Sequence, residues 1–92
     1  MTIHHEIENQ RFVLASPDQR VAELVYERPE AGVIDFVHTY VPEGQRGQGE
    51  ADELARAGLA FARQQHLRVR TSCPFMAAFV ARHHNEYAAI LA

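Results

Sequence analysis

RGQGEA, residues 46–51, lies between an apolar run that ends in Tyr40-Val41-Pro42 and an alanine- and leucine-rich stretch with helical spacing. A glycine loop that joins a strand to a helix leaves the first N–H groups of the helix unpaired, and the helix dipole adds positive potential there. Phosphate and pyrophosphate bind well at such a position. The stretch therefore predicts a phosphate-binding loop.

Two common phosphate-binding loops do not fit these residues. A Walker loop needs Lys and then Ser or Thr after its last glycine, but Glu50 follows Gly49 here, and the chain contains no lysine. The dinucleotide-binding fingerprint needs a third glycine where this chain has Asp52. The pattern that remains is Arg46-x-x-Gly49-x-Ala51.

This pattern resembles the coenzyme A pyrophosphate loop of the GCN5-related N-acetyltransferases, which reads Gln/Arg-x-x-Gly-x-Gly/Ala. The segments His38-Thr39-Tyr40-Val41-Pro42 and Cys73-Pro74-Phe75, with the histidine-rich residues 82–87, are similar to short acetyltransferase-like proteins of the yjdJ type. The resemblance covers nearly the whole chain. It implies direct transfer of an acetyl group from acetyl-CoA to an unidentified amine, and the alternative is a CoA-binding module without turnover.

Composition and charge are those of one small domain that spans residues 1–92. The chain is 47% hydrophobic, enough for one modest core, and its single cysteine excludes an internal disulfide. We find no signal peptide and no apolar run of membrane-spanning length, which predicts a cytoplasmic protein without a membrane partner. A net charge of −3 with dispersed arginines does not favour nucleic acid. We expect a monomer or weak homodimer that acts on a small-molecule or peptide amine.

The spacing of apolar residues predicts the order of secondary structure. Turns are expected at residues 16–19 and 28–32. Helices are expected after the glycine loop and from Pro74 onward, where Phe75, Ala78 and Phe79 would form the buried side. Strands are expected at residues 3–7, 11–15, 21–27, 33–41 and 67–71.

The longest predicted strand, residues 33–41, carries apolar side chains on both of its alternating faces. One face would hold Ile34, Phe36, His38 and Tyr40, so we expect other elements to cover both faces. The fold class is α/β, with a small, mixed, mostly antiparallel sheet of about five strands and two principal helices. The resemblance implies an acyl-CoA N-acyltransferase fold in which a strand–helix–strand unit binds acetyl-CoA. It also implies a version truncated at the N-terminus, without the helices that build the acceptor pocket in larger relatives, and hence a shallow, open substrate site.

The resemblance assigns residues to acetyl-CoA. The pantetheine arm would lie along the backbone of residues 37–41, and Arg46 would lie at the edge of the pyrophosphate. A carboxylate at residue 50 would repel that pyrophosphate unless the helix aims the side chain outward. The expected cofactor-binding residues are His38, Thr39, Val41, Arg46, Gly47, Gln48, Gly49, Glu50, Ala51 and Cys73.

Two side chains are candidates for catalysis. Cys73 precedes Pro74 and would lie at a helix N-terminus, where the dipole stabilises a thiolate. It could pack, assist direct transfer or form an acetyl-cysteine. His38 is the candidate general base, and its alternative role is to tie the strand to a neighbour by one hydrogen bond. Tyr40 and Tyr87 are weaker candidates for protonating the leaving thiolate.

No metal site is expected from the histidine pairs. His4-His5 would point to opposite faces of a strand, and His83-His84 would diverge on a helix. The chain has neither an HExxH nor a CxxC motif. Acetyl-CoA, which the resemblance implies, is the one cofactor expected.

Overall fold

Five strands form one sheet in chain order in the computed structural model, which describes residues 2–15, 21–45, 47 and 49–92. The first four strands are antiparallel neighbours, and the fifth lies parallel to the fourth. The predicted α/β class with a mixed, mostly antiparallel sheet is confirmed. The strands are β1 (Ile3–Glu6), β2 (Arg11–Ala15), β3 (Val21–Glu27), β4 (Val33–Tyr40) and β5 (Arg68–Thr71).

The helices follow the predicted order, with one addition. The helix α1 (Glu50–Gln64) connects β4 to β5, and α2 (Pro74–Arg82) follows β5. The short helix α3 (His84–Tyr87) was not predicted. The predicted turn at residues 16–19 lies outside the described residues. Single 3-10 turns occupy Ile7–Asn9, Glu43–Gln45 and Ala88–Ile90.

The hydrophobic core lies between one face of the sheet and the helices. The apolar stripe of α1 is buried there, and Gly58 lets the helix come close to the sheet. A Cβ at Gly58 would lie 2.8 Å from Phe36 Cε1 and 2.9 Å from Leu24 Cδ2. Arg56 of α1 lies over the ring of Phe79 in α2, at 5.4 Å from the centroid, so the two helices pack side by side.

The opposite face of the sheet is polar, and no helix of the described part of the chain joins a hydrophobic cluster there. Arg11 pairs with Glu6 at 2.7 Å and with Glu23 at 2.9 Å on this face. The prediction that both faces of β4 are covered is therefore wrong. Ion pairs lie on this face, where a second layer was expected. We call it the open face.

A β-bulge in β4 changes which residues share a face. Tyr26 lies opposite Phe36, but its neighbour Val25 lies opposite His38, which leaves Val37 as the extra residue. Leu24 and Tyr26 point to the core, so their partners Thr39 and Phe36 also do. His38 falls on the open face, as does Tyr40, which is paired with Glu23. The predicted grouping of His38 and Tyr40 with Phe36 is therefore wrong, because it assumed unbroken alternation.

The buried side of α2 also differs from the prediction. Met76, Phe79 and Val80 are buried, whereas Phe75 is half-buried and Ala78 is exposed. This helix is apolar nearly all round, so periodicity alone did not select one side. After α3 the chain returns to β5, where Leu91 bridges Val69. No helix in the described ranges is long and apolar enough to span a bilayer.

Candidate functional site

A gap opens between β4 and β5 halfway along β4. The β4–β5 ladder ends at the pair Phe36 and Thr71, whereas the β3–β4 ladder continues to Tyr40. Beyond Thr71, the N–H of Cys73 donates to the carbonyl of Phe36 at 2.8 Å. Residues 37–40 therefore have a strand partner on the β3 side only, within the described part of the sheet.

Asp35 fixes the chain at the closed end of this gap. Its carboxylate accepts hydrogen bonds from the backbone N–H of Ser72 at 3.0 Å and from the Ser72 hydroxyl at 2.7 Å. Both bonds hold the chain after β5 against β4 at the level where the ladder stops. The gap is thus bounded by a fixed turn.

The glycine loop ends at the N-terminus of α1, as predicted. Gly47 has φ +87° and Gly49 has φ +80°, which is the left-handed region that side chains other than glycine rarely adopt. Apart from the glycine itself and its chain neighbours, no heavy atom of the described residues lies within 4 Å of a Cβ built on either glycine. A ligand can therefore approach this backbone closely. Arg46 and Gln48 lie outside the described residues.

Glu50 is the first residue of α1, and its side chain points inward. Glu50 is 2% exposed and lies on the buried stripe of α1 that also contains Leu54 and Gly58. Ala51 beside it is half-buried. Neither carboxylate oxygen has a hydrogen-bond partner among the described residues. From the sequence, a pyrophosphate is expected to be repelled here unless the Glu50 side chain points outward. Because the side chain points inward, its carboxylate opposes an anion at the same helix N-terminus.

Cys73 and Thr39 meet across the gap. The thiol is 4% exposed, and its Sγ lies 3.3 Å from Thr39 Oγ1. Cys73 is the N-cap residue of α2, but its side chain makes no capping hydrogen bond. The structure therefore places a buried, hydrogen-bonded thiol on the helix-covered side of the gap.

The two candidate catalytic residues lie on different faces of the sheet. His38 is exposed on the open face, whereas Cys73 is buried with Thr39 on the helix-covered face. Tyr40 is exposed on the open face, and Val41 after it is half-buried. Tyr87 is buried, and its hydroxyl accepts a hydrogen bond from Arg56 at 3.3 Å, away from the gap.

Sequence reasoning identified the loop and Cys73 but missed two features of the gap. The first is the bulge at Val37, because a bulge of this kind requires no particular residue type. The second is the contact between Thr39 and Cys73, which are 34 positions apart. The branched hydroxyl residue at position 39 of the predicted strand was the one available signal.

Comparison with known proteins identifies the family. A family model described as GCN5-related N-acetyl-transferase matches residues 11–90. The chain belongs to this family. Protein NATD1 of Bos taurus is 39% identical over 59 residues, which are 64% of this chain and 52% of that protein. Protein NATD1 of Danio rerio is 30% identical over 91 residues, which are 95% of this chain and 81% of that protein.

The match to the bovine relative spans about half of that protein's length. The fold is also that of a GCN5-like protein from Staphylococcus aureus, solved by NMR, with a TM-score of 0.70 and 22% sequence identity. The match covers 99% of this chain and 87% of the other. The predicted acetyltransferase-like fold is therefore confirmed, and acetyl transfer is the general chemistry of this family. Within the described ranges no three metal-binding side chains come together.

Proposed function

We propose that this protein is an acetyl-CoA-dependent N-acetyltransferase that acts by direct transfer to a primary amine. The observation that carries the proposal is the gap after Phe36, which opens beside the N-terminus of α1. Bound acetyl-CoA supplies an activated acetyl carbon. A gap in the sheet next to a helix N-terminus suits a ligand with an extended amide arm and a pyrophosphate.

The residues that would hold acetyl-CoA follow from this arrangement. The β5-facing edge of residues 37–40, including His38 and Thr39, fits the amides of the arm by strand addition, since no described strand pairs with it. The pyrophosphate fits the N–H groups of Gly47, Gly49, Glu50 and Ala51. The resemblance adds Gln48 and, as a countercharge, Arg46. The inward carboxylate of Glu50 weakens this fit without blocking the backbone.

The residues on the two faces beside the gap suit different parts of the reaction, one at the amine and the other at the departing sulfur. The ammonium loses one proton, the amine nitrogen bonds the acetyl carbon, and the carbon–sulfur bond breaks. A second proton passes from the nitrogen to the departing sulfur, so the products are an amide, a free thiol and one released proton. His38 on the open face is the proposed proton acceptor for the amine. Cys73 and Thr39 on the other face are proposed to assist at the sulfur.

The first test is calorimetric titration of the protein with acetyl-CoA and with CoA, followed by intact-mass analysis. We expect saturable binding and no covalent acetyl adduct, in the wild type and in Cys73→Ala alike. An adduct that Cys73→Ala abolishes would replace direct transfer with an acetyl-cysteine. Absence of binding would overturn the proposal.

His38 and Cys73 are tested separately by turnover. His38→Gln should lower kcat about 100-fold near neutral pH, and alkaline pH should restore turnover because free amine then forms in solution. Cys73→Ser keeps a hydroxyl for Thr39 and should retain more turnover than Cys73→Ala. Equal kcat for both cysteine variants and the wild type would assign Cys73 to packing.

A CoA-binding module without turnover is the second candidate. The observation in its favour is the open face, where no described helix covers the side from which an amine must come. The two functions differ in one measurement. Saturable acetyl-CoA binding, with no thiol released by any amine in a broad panel, would favour the module.

A further inference from the structure

A depression of about 420 Å³ lies at the end of β4, on the open face. Its lining residues within the described part of the chain are Val21, Tyr40, Pro42 and Glu43. Glu23 lies opposite Tyr40, and Val21 is two residues before Glu23 on β3, so Val21 and Tyr40 share the open face. The volume is within the range of small-molecule sites.

Exposed apolar surface is concentrated at this depression. The large hydrophobic side chains exposed in the described residues are Ile7, Val21 and Tyr40. Val21 is 37% exposed and Tyr40 is 45% exposed, and both line the depression. Apolar side chains grouped in a concave surface indicate a binding site more strongly than isolated ones do.

The chemistry of the lining favours a cation. Glu43 is exposed and carries a carboxylate, and Tyr40 carries an aromatic ring. None of the four lining residues that the structure describes is cationic. The neighbouring carboxylate of Glu23 is already paired with Arg11. A carboxylate, an aromatic face and an aliphatic wall together suit an alkylammonium group.

The depression adjoins the gap between β4 and β5. Tyr40 follows Thr39 directly, and their side chains point to opposite faces, with Thr39 against Cys73. His38 lies two residues before Tyr40 on the open face, about 7 Å along the strand. An ammonium group held at Tyr40 is therefore close to the proposed base and to the gap.

We infer that the acceptor is an aliphatic primary amine, bound as its ammonium by Tyr40 and Glu43 on the open face. The inference deepens the proposed function and rests on it for the reactive acetyl group. The same alkylammonium chemistry occurs in free diamines and in lysine side chains. The proposed site excludes amines that carry a carboxylate next to the nitrogen, because Glu43 repels that carboxylate.

Amide chemical shifts of the protein alone test the site without any turnover. Cadaverine and Nα-acetyl-lysinamide should each shift the amide signals of Val21, Tyr40 and Glu43 saturably, and glutamate should not. Glu43→Gln should weaken binding about three- to fivefold, the effect of one exposed charge pair. Glu8→Gln removes the same charge at the opposite end of the sheet and should leave binding unchanged.

The two amines also distinguish the sources. A higher kcat/KM for Nα-acetyl-lysinamide supports a lysine side chain as the natural acceptor, and a higher value for cadaverine supports a free diamine. Equal weakening by Glu43→Gln and Glu8→Gln would overturn the inference, as would saturable binding of glutamate. Acetyl-CoA binding without amine shifts at these residues would overturn the inference alone. Amine shifts without acetyl-CoA binding would overturn the proposed function alone.

Discussion

The two halves of β4 have opposite surroundings. Residues 33–36 pair with β3 on one edge and with β5 on the other, and Val33, Ile34 and Phe36 are buried. Among the described strands, residues 38–40 pair with β3 alone, and His38 and Tyr40 are exposed. The bulge at Val37 separates the halves. One strand therefore anchors the core with its first half, whereas alternate side chains of its second half are exposed.

The largest expected effect contrasts one aromatic residue from each half. Phe36→Ala should cost about 3–5 kcal/mol of unfolding free energy, because it leaves a cavity in the core. Tyr40→Ala should cost less than about 1 kcal/mol, because the ring is half in solvent. Urea unfolding measures both. If Phe36→Ala does not fold, Phe36→Leu provides a milder loss, and equal costs at the two positions would contradict the division of β4.

The next largest effect is expected from overpacking α1 against the first half of β4. Gly58→Val should cost about 2 kcal/mol, because its Cβ would lie 2.8 Å from the buried ring of Phe36. Ala60→Val places the same branched side chain on the exposed side of α1 and should cost about 0.5 kcal/mol. Thermal unfolding of the two variants checks the difference. A stable Gly58→Val protein would mean that α1 is free to move away from β4.

A substitution at Glu50 tests the glycine loop that lies beside the second half of β4. Glu50→Gln removes a buried charge and should raise stability by about 1 kcal/mol. It should also tighten acetyl-CoA binding about five- to tenfold, because it removes the repulsion between one negative charge at the helix N-terminus and the pyrophosphate. The exposed Glu53→Gln in the same helical turn is the control and should slightly lower stability. A loss of stability in Glu50→Gln would show that this carboxylate is paired in solution.

The smallest effect is expected at the edge of the sheet far from the gap. His5 stacks on Phe12 with centroids 4.0 Å apart and bonds the Tyr26 hydroxyl at 2.7 Å. Burial lowers the pKa of His5 below 6.5, so the folded protein favours the neutral ring. On acidification the unfolded chain binds the proton first. The stability is therefore at its full value above pH 6.5 and decreases as the pH falls below 6.5. His5→Phe should reduce this fall.

Proton NMR titration of the His5 ring checks the cause directly. We expect a midpoint below 6.5, the ordinary value for histidine. A midpoint at or above that value would mean that the ring is not desolvated in solution. Unfolding curves of the wild type and His5→Phe, measured from about pH 8 to about pH 5, give the stability difference.

Much of the fold could be predicted from local patterns. The bounds of β2 and β3 agree with their predicted residues, because alternation and turn residues encode the local backbone. Pro74 begins α2 as expected, since proline fits the first turn of a helix. The buried side of α2 could not be predicted, because apolar residues surround that helix.

The sequence by itself determined the glycine loop before α1 and the order of the main strands and helices, since glycine positions and apolar periodicity act within a few residues. The family was predicted from the resemblance of its motifs. Only the tertiary structure decided that His38 lies on the open face, that Thr39 meets Cys73, and that Glu50 points inward. Each of these depends on how β4 pairs with β3 and β5 and how α1 packs on the sheet. A one-residue bulge reverses the faces of a strand, and no local pattern in the sequence marks where that reversal occurs.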